Sequence, residues 1–332
     1  MTFKWYHIVL LFSLLPIGCS QSAHFIEQSQ SINQEDRLTE LRRIEKSVLK
    51  IICTAYYKNF YYNRPKSLTA EIPQDQLLSE DNYTSSSVAA TGLILYQDNY
   101  RAMLLSCFHV FDFADTVRSY YLDKDNHPSK YLNQLSIRTT TSILVFHKNG
   151  RSTHAELLSH DRERDVALIT TEPASIALVE TPFLGTFYNN DIELGDEVYM
   201  MGFPKGFLML TRGLASPSPN KNKFLVDASF NQGFSGGVVV RFKDHSKHLE
   251  YVGMSNSVSY TSEYVLAPSS NIIDPTQFLD LPYDQEPYLR ELKVINYGIT
   301  FVQKSESVID FIKDNTDTFR NKGIMYKIHE SK

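Results

Sequence analysis

Cysteine is scarce: the 332 residues contain three, Cys19, Cys53 and Cys107. None belongs to a Cys-x-x-Cys pair or to a Cys/His cluster with metal-ligand spacing, so the pattern of a zinc module is absent. A basic excess is also missing. Lys and Arg number 33 against 38 Asp and Glu, a formal charge of −5, which argues against nucleic acid as a partner and against polybasic docking on a membrane. Long hydrophobic runs are missing too: Ile8 to Ile17 is nearly all apolar but too short to span a bilayer. No internal repeat of fixed short period is visible.

What is there suits a folded β protein. Hydrophobic residues make up 42%, enough for a sizeable core, and Tyr and Phe at 20 each favour strands. The length fits one large all-β domain or two smaller lobes. Residues 1–19 read as an export signal: Lys4 supplies the positive end and Ile8 to Ile17 the apolar stretch. Gly18 before Cys19 resembles a bacterial lipoprotein cleavage box, although Leu15 sits one place further from Cys19 than usual and Pro16 takes its place. Lipid on Cys19 would anchor the mature protein without spanning the membrane. A plain secretory signal and an uncleaved anchor are the alternatives. The expected location is the bacterial cell envelope, at the periplasm or the cell surface. Cys53 and Cys107 could then oxidise to a disulfide, but two small buried hydrophobes is the preferred reading.

Residues 20–46 read as a Gln- and Ser-rich tether followed by a helix. The helix is expected from Asn33 to Lys50, because Leu38, Leu41, Ile44, Val48 and Ile51 recur at spacings of three and four. Short strand-like runs follow at Ala90–Tyr96, Arg101–Phe113, Ser142–Phe146, Ala155–Leu158, Val166–Ile169, Glu197–Met201, Phe224–Phe230, Val238–Phe242 and Leu249–Met254. Asn149-Gly150 marks a hairpin. The pattern indicates a sandwich or a pair of barrels. A second helix is expected from Ser305 to Ile312, capped by Ser305. Residues 56–87 and 257–291 interrupt the rhythm and read as long surface insertions.

The chemistry concentrates in Asp227-Ala-Ser-Phe-Asn-Gln-Gly233-Phe234-Ser235-Gly236-Gly237. A serine hydroxyl is a poor nucleophile unless a base takes its proton and donors hold the oxyanion. Glycines let the chain turn so that the N–H groups of Gly233 and Ser235 face one point. Leu104-Leu-Ser-Cys-Phe-His109 delivers a histidine from an apolar strand, and Asp165, just before the apolar run Val166–Ile169, supplies a half-buried acid. Asp161 is the runner-up acid.

These blocks, in the order His109, Asp165, Ser235, resemble chymotrypsin-like serine proteases, and the bacterial HtrA-type branch in particular, in its protease domain without PDZ. Gly195-Asp-Glu-Val-Tyr-Met-Met-Gly202-Phe-Pro204 and Tyr297-Gly-Ile-Thr-Phe-Val302 with its following helix add two further matches. The resemblance implies two packed six-stranded β-barrels over about 47–320, with 321–332 as a tail. It implies a serine endopeptidase with His109 as base, Asp165 as its orienting acid, Ser235 as nucleophile, and an oxyanion hole at Gly233 and Ser235. Protein or peptide is the implied substrate, and no metal or organic cofactor is required. Phe108, Phe234 and Val238 depart from the family's usual residues. A protease fold retained only for binding is the alternative function. An α/β-hydrolase elbow fits Gly233-x-Ser235-x-Gly237 less well, because a strand-like run rather than a helix follows. The resemblance also places the specificity pocket between Ser229–Gln232 and Val252–Ser255. Ser229 lies at its base and Met254 is an apolar wall, while Asp227 serves the structure of the loop. An uncharged, small-to-medium apolar side chain should fit.

Overall fold

The computed structural model describes residues 34–63, 76–77, 82–123, 127–171, 182–183, 185–188, 192–242, 248–267 and 288–330. Residues 1–33, read as a signal segment with Cys19 and a tether, lie outside them. A 12-residue helix opens the described chain as α1 (Gln34–Glu45), whose buried residues are Leu41 and Ile44.

The first half forms β1 (Val48–Tyr62), β2 (Gln76–Leu77), β3 (Tyr83–Gln97), β4 (Ala102–Ser106), β5 (Thr116–Leu122), β6 (Pro128–Phe146), β7 (Ser152–Asp161) and β8 (Val166–Thr171). Strands pair in the order β1-β3-β4-β8-β7-β6, and β6 pairs back to β1, closing a six-stranded antiparallel barrel. β2 and β5 are attached at its edges. The second half forms β9 (Thr186–Phe187), β10 (Glu197–Gly202), β11 (Met209–Pro217), β12 (Lys223–Val226), β13 (Val238–Phe242), β14 (Leu249–Ala267) and β15 (Tyr288–Lys304). Its order is β10-β11-β12-β15-β14-β13, and β13 also pairs with β10, so it closes in the same way. Closure leaves no open sheet edge within either barrel. The fold is therefore the expected pair of six-stranded barrels of chymotrypsin type.

The barrels share a core. One buried cluster joins Leu93, Leu105, Cys107 and Val166 of the first barrel to Met201, Val238, Tyr251 and Met254 of the second. Helix α2 (Ser305–Asp314) adds Val308, Ile309, Phe311 and Ile312 to the same cluster. Each such side chain is worth about 1.5–3 kcal/mol relative to exposure. A common core means that the two barrels cannot shift independently without losing packing.

Several sequence expectations need correction. The first helix ends at Glu45, and Val48–Ile51 begin β1. Their spacing fits a helix, but the β-branched residues Val48 and Ile51 pair across to Leu93 and Ala90 of β3, and the ladder wins. The first of the two stretches read as insertions is mainly strand at its ends: Tyr56–Tyr62 continues β1, and Tyr83–Ser87 starts β3. In the second, Ser257–Ala267 continues β14, and Tyr288–Glu291 starts β15. The β1–β3 and β14–β15 ladders run on through these residues. Residues 64–75, 78–81 and 268–287 lie outside the described set. Arg101–Phe113 is a short strand followed by a 3-10 turn at Phe108–Val110. Phe224–Phe230 is strand only to Val226. Ser305 is not a cap: it is the first residue of α2, buried, and its hydroxyl makes no hydrogen bond among the described residues. A short α3 (Thr316–Asn321) follows, within what reads as the domain end. Cys53 and Cys107 are both free and buried.

Candidate active site

His109 is brought to the surface by burial of everything before it. All five residues of β4 are buried, Cys107 is fully buried, and the 3-10 turn then lifts His109 out with its side chain 44% exposed. The aromatic Phe108 finds a place in this turn. Its ring stacks on His160 at 4.2 Å, and the Arg162 guanidinium lies 5.2 Å from the ring centre.

Asp165 ends the turn between β7 and β8 and has φ 54°, in the left-handed region. Asp tolerates that region better than most residues because its short side chain can bond locally. Here the chain bends so that one carboxylate serves one loop twice. Oδ1 accepts the His109 main-chain N–H at 2.8 Å, and Oδ2 lies 2.7 Å from His109 Nδ1. The ionised acid can only accept, so Nδ1 carries the proton and Nε2 is free as an acceptor. Ser235 Oγ lies 3.0 Å from that Nε2. Burial pushes the Asp165 carboxyl up, but the hydrogen bonds and charge of His109 and a bond from Asn256 outweigh it, and the group is held below its ordinary value of 3.8.

Asn256 has no counterpart in the sequence reading. Its Nδ2–H donates to Asp165 Oδ2 at 2.7 Å. Lys223 Nζ and Ser257 Oγ donate to its Oδ1 at 2.8 and 3.0 Å, which fixes the amide orientation. It is 3% exposed. Its distance in sequence from Asp165 left no local signal.

The turn bearing Ser235 needs glycine where glycine stands. Gly233 has φ 100°, and a Cβ there would meet Phe203 O at 2.3 Å; Gly236 has φ 85°, and a Cβ there would meet Thr91 O at 2.1 Å. Phe234 points into the second barrel, 1% exposed, its ring 5.8 Å from Phe230. Thr91 of β3 grips the turn from the first barrel: its N–H donates to Ser235 O at 2.8 Å and its Oγ1 to Gly233 O at 2.8 Å. Among the described residues, no protein acceptor takes the N–H of Gly233 or of Ser235. Both donors are thus unspent beside the Ser235 hydroxyl.

The remaining assignments divide. Ser229 and Gln232 are exposed. Met254 is not an open wall: it is 1% exposed and packed in the shared core, because its strand position turns it inward. Asp227 Oδ1 accepts the Leu214 N–H at 2.5 Å, a structural duty. Asp161 accepts the N–H groups of Glu163 and Arg164 and pairs with Arg164, so it builds the turn that presents Asp165. Asp112 pairs with Arg162, and Asp115 with Arg138. His147 is buried, its Nε2 2.8 Å from Thr153 Oγ1. Cys107, His109 and Asp165 bring three ligand-type atoms within 4.8 Å of one another. Two of these atoms are already bonded to each other, and burial pushes the Cys107 thiol far above its ordinary value.

Residues 90–246 match the family model of the trypsin-like peptidase domain. No curated protein matches the chain. Among solved structures, the serine endoprotease from Yersinia pestis is 18% identical, with a TM-score of 0.44 over 88% of this chain and 75% of that one. An HtrA-type protease solved with a decapeptide is 16% identical, with a TM-score of 0.48 over 85% of this chain and 67% of that one.

Proposed function

We propose that this chain, whose residues 90–246 match the trypsin-like peptidase domain, is a serine endopeptidase working through Ser235, His109 and Asp165. The observation that carries this reading is the continuous set of contacts from Asp165 Oδ2 through His109 Nδ1, 2.7 Å, to His109 Nε2 and Ser235 Oγ, 3.0 Å. His109 Nε2 takes the hydroxyl proton as Ser235 Oγ attacks the peptide carbonyl. The N–H groups of Gly233 and Ser235 receive the oxyanion. The imidazolium then protonates the leaving amine, and water resolves the acyl-enzyme by the same path in reverse. Asp165, ionised throughout, holds the tautomer and stabilises the imidazolium. Labelling of the purified protein by a fluorophosphonate tests the reading. Label on Ser235, absent from Ser235→Ala, is the expected result; an unlabelled wild type would mean a protease fold kept for binding.

Specificity follows from what the pocket segment lacks. Ser229 is neutral, and Asp227 is spent on Leu214, so no carboxylate is offered to a buried Lys or Arg side chain. Cleavage after uncharged apolar residues is expected in a peptide library. Dominant cleavage after Lys or Arg would overturn this.

Export to the cell envelope with lipid on Cys19 belongs to the same proposal and rests on the Ile8–Cys19 segment. Mass spectrometry of protein from native membranes should find a lipid-modified Cys19 as the first residue. An unmodified terminus elsewhere would refute it.

A further inference from the structure

Four consecutive carbonyls around the nucleophile are all bonded from behind. Gln232 O accepts from Lys205 N at 2.8 Å, and Gly233 O from Thr91 Oγ1 at 2.8 Å. Phe234 O accepts from Ser255 Oγ at 2.6 Å and also from Gly237 N at 2.8 Å, and Ser235 O from Thr91 N at 2.8 Å. A trans peptide carries its C=O and N–H on opposite sides of one plane. Anchoring Gln232 O therefore aims the Gly233 N–H the other way, and anchoring Phe234 O does the same for the Ser235 N–H. These are the two donors left unspent. We propose that Ser255 and Thr91 are positioning residues for the oxyanion hole: the Ser255 hydroxyl holds the 234–235 peptide itself, and the Thr91 hydroxyl holds the intervening 233–234 peptide and the 203–206 turn that anchors Gln232 O, one from each barrel.

The two side chains are suited to this. Both are fully buried, so water does not compete for their bonds. The single proton of Ser255 goes to the nearer acceptor, since its oxygen lies 3.2 Å from Gly237 O against 2.6 Å from Phe234 O. Thr91 Oγ1 accepts the Phe203 N–H at 2.9 Å, which directs its own proton to Gly233 O. Phe203 precedes the turn whose Lys205, at φ 54°, holds Gln232 O. The hydroxyls thus tie three segments, β3, the 203–206 turn and β14, to one loop. The Phe234 side chain points away into the core and adds no hydrogen bond, so among side chains the loop's orientation falls to these hydroxyls.

The proposal rests on the endopeptidase reading, and its test separates the two. Ser255→Ala and Thr91→Val remove the hydroxyls; Thr91→Ser keeps one. The full mature chain is assayed for kcat and KM on a cleaved peptide and for inhibition by a peptide aldehyde, whose hemiacetal oxygen occupies the hole. Ser255→Ala and Thr91→Val should each lower kcat by about 10- to 100-fold, with KM little changed and aldehyde inhibition weakened in parallel. Thr91→Ser should stay within a few-fold of wild type. Variants that melt lower but keep wild-type kcat and aldehyde affinity would overturn the proposal. Should wild type neither cleave nor take the fluorophosphonate label, the function reading fails by itself. Crystals of Ser255→Ala then decide the brace: a turned 234–235 peptide supports it, and an unchanged one overturns it.

Discussion

The acid–base side and the oxyanion side of the proposed site are made of different material. His109, Asp165 and Asn256 work through side chains, each set by a partner at 2.7–2.8 Å. Gly233 and Ser235 contribute main-chain N–H groups whose direction is set by what lies behind them. The first side demands particular residue types and tolerates odd neighbours, as Phe108 does against His160. The second side tolerates an odd side chain at Phe234 and demands a particular peptide orientation. A departure from the usual residue therefore means different things on the two sides.

Substitutions can break this contrast, the most severe first. Ser235 belongs to both sides, so Ser235→Ala should lower kcat by about 10⁴ or more with the melting temperature kept; a variant as active as wild type would remove the assignment altogether. On the side-chain half, Asp165→Asn should cost about 10³–10⁴ in kcat, since an amide can hold His109 in the wrong tautomer. Asn tolerates the left-handed φ as Asp does, so circular dichroism should show the fold intact. On the main-chain half, Gly233→Ala places a methyl against Phe203 O. A loss of about 10²–10³ in kcat is expected, together with a lower melting temperature, which Asp165→Asn should not share to the same degree. Asn256→Ala removes one hydrogen bond to a charged acceptor, worth about 1.5–3 kcal/mol. A 10- to 100-fold fall in kcat with KM unchanged would fit orientation of Asp165; a rise in KM alone would assign Asn256 to substrate binding.

The smallest effect is on stability with pH. The Asp165 carboxyl has a folded value below its ordinary 3.8. Its contribution is therefore complete above 3.8 and is lost as pH falls through the lower folded value. The stability advantage of wild type over Asp165→Asn should shrink from neutral to strongly acidic pH in thermal melts. A constant difference would show that the ionised form is not favoured by folding.

Much of the barrel was readable in advance because short strands announce themselves locally. Val238–Phe242 is strand from end to end, and Asn149-Gly150 turns β6 into β7 with Gly150 at φ 81°. Expectations failed where one spacing served two structures. Leu41 and Ile44 are helical while Val48 and Ile51 are strand, and only the ladder to β3 separates them. The Tyr-rich ends of β1 and β14 looked like loops because no run of them is buried throughout; their partners come from distant sequence.

At the site the same boundary holds. Amino-acid order alone determined the residue types with the required chemistry, His109, Asp165 and Ser235, and the glycines that allow a tight turn. A hydroxyl, an imidazole and a carboxylate are rare enough in such motifs to be seen one segment at a time. Only the tertiary structure decided what orients them. Thr91, Ser255, Asn256 and Lys223 are ordinary residues in sequence. Their roles come from hydrogen bonds spanning 142, 21, 91 and 33 positions. Such bonds are directional within a few tenths of an ångström, and no local pattern of residues encodes a direction that arises when two closed barrels meet.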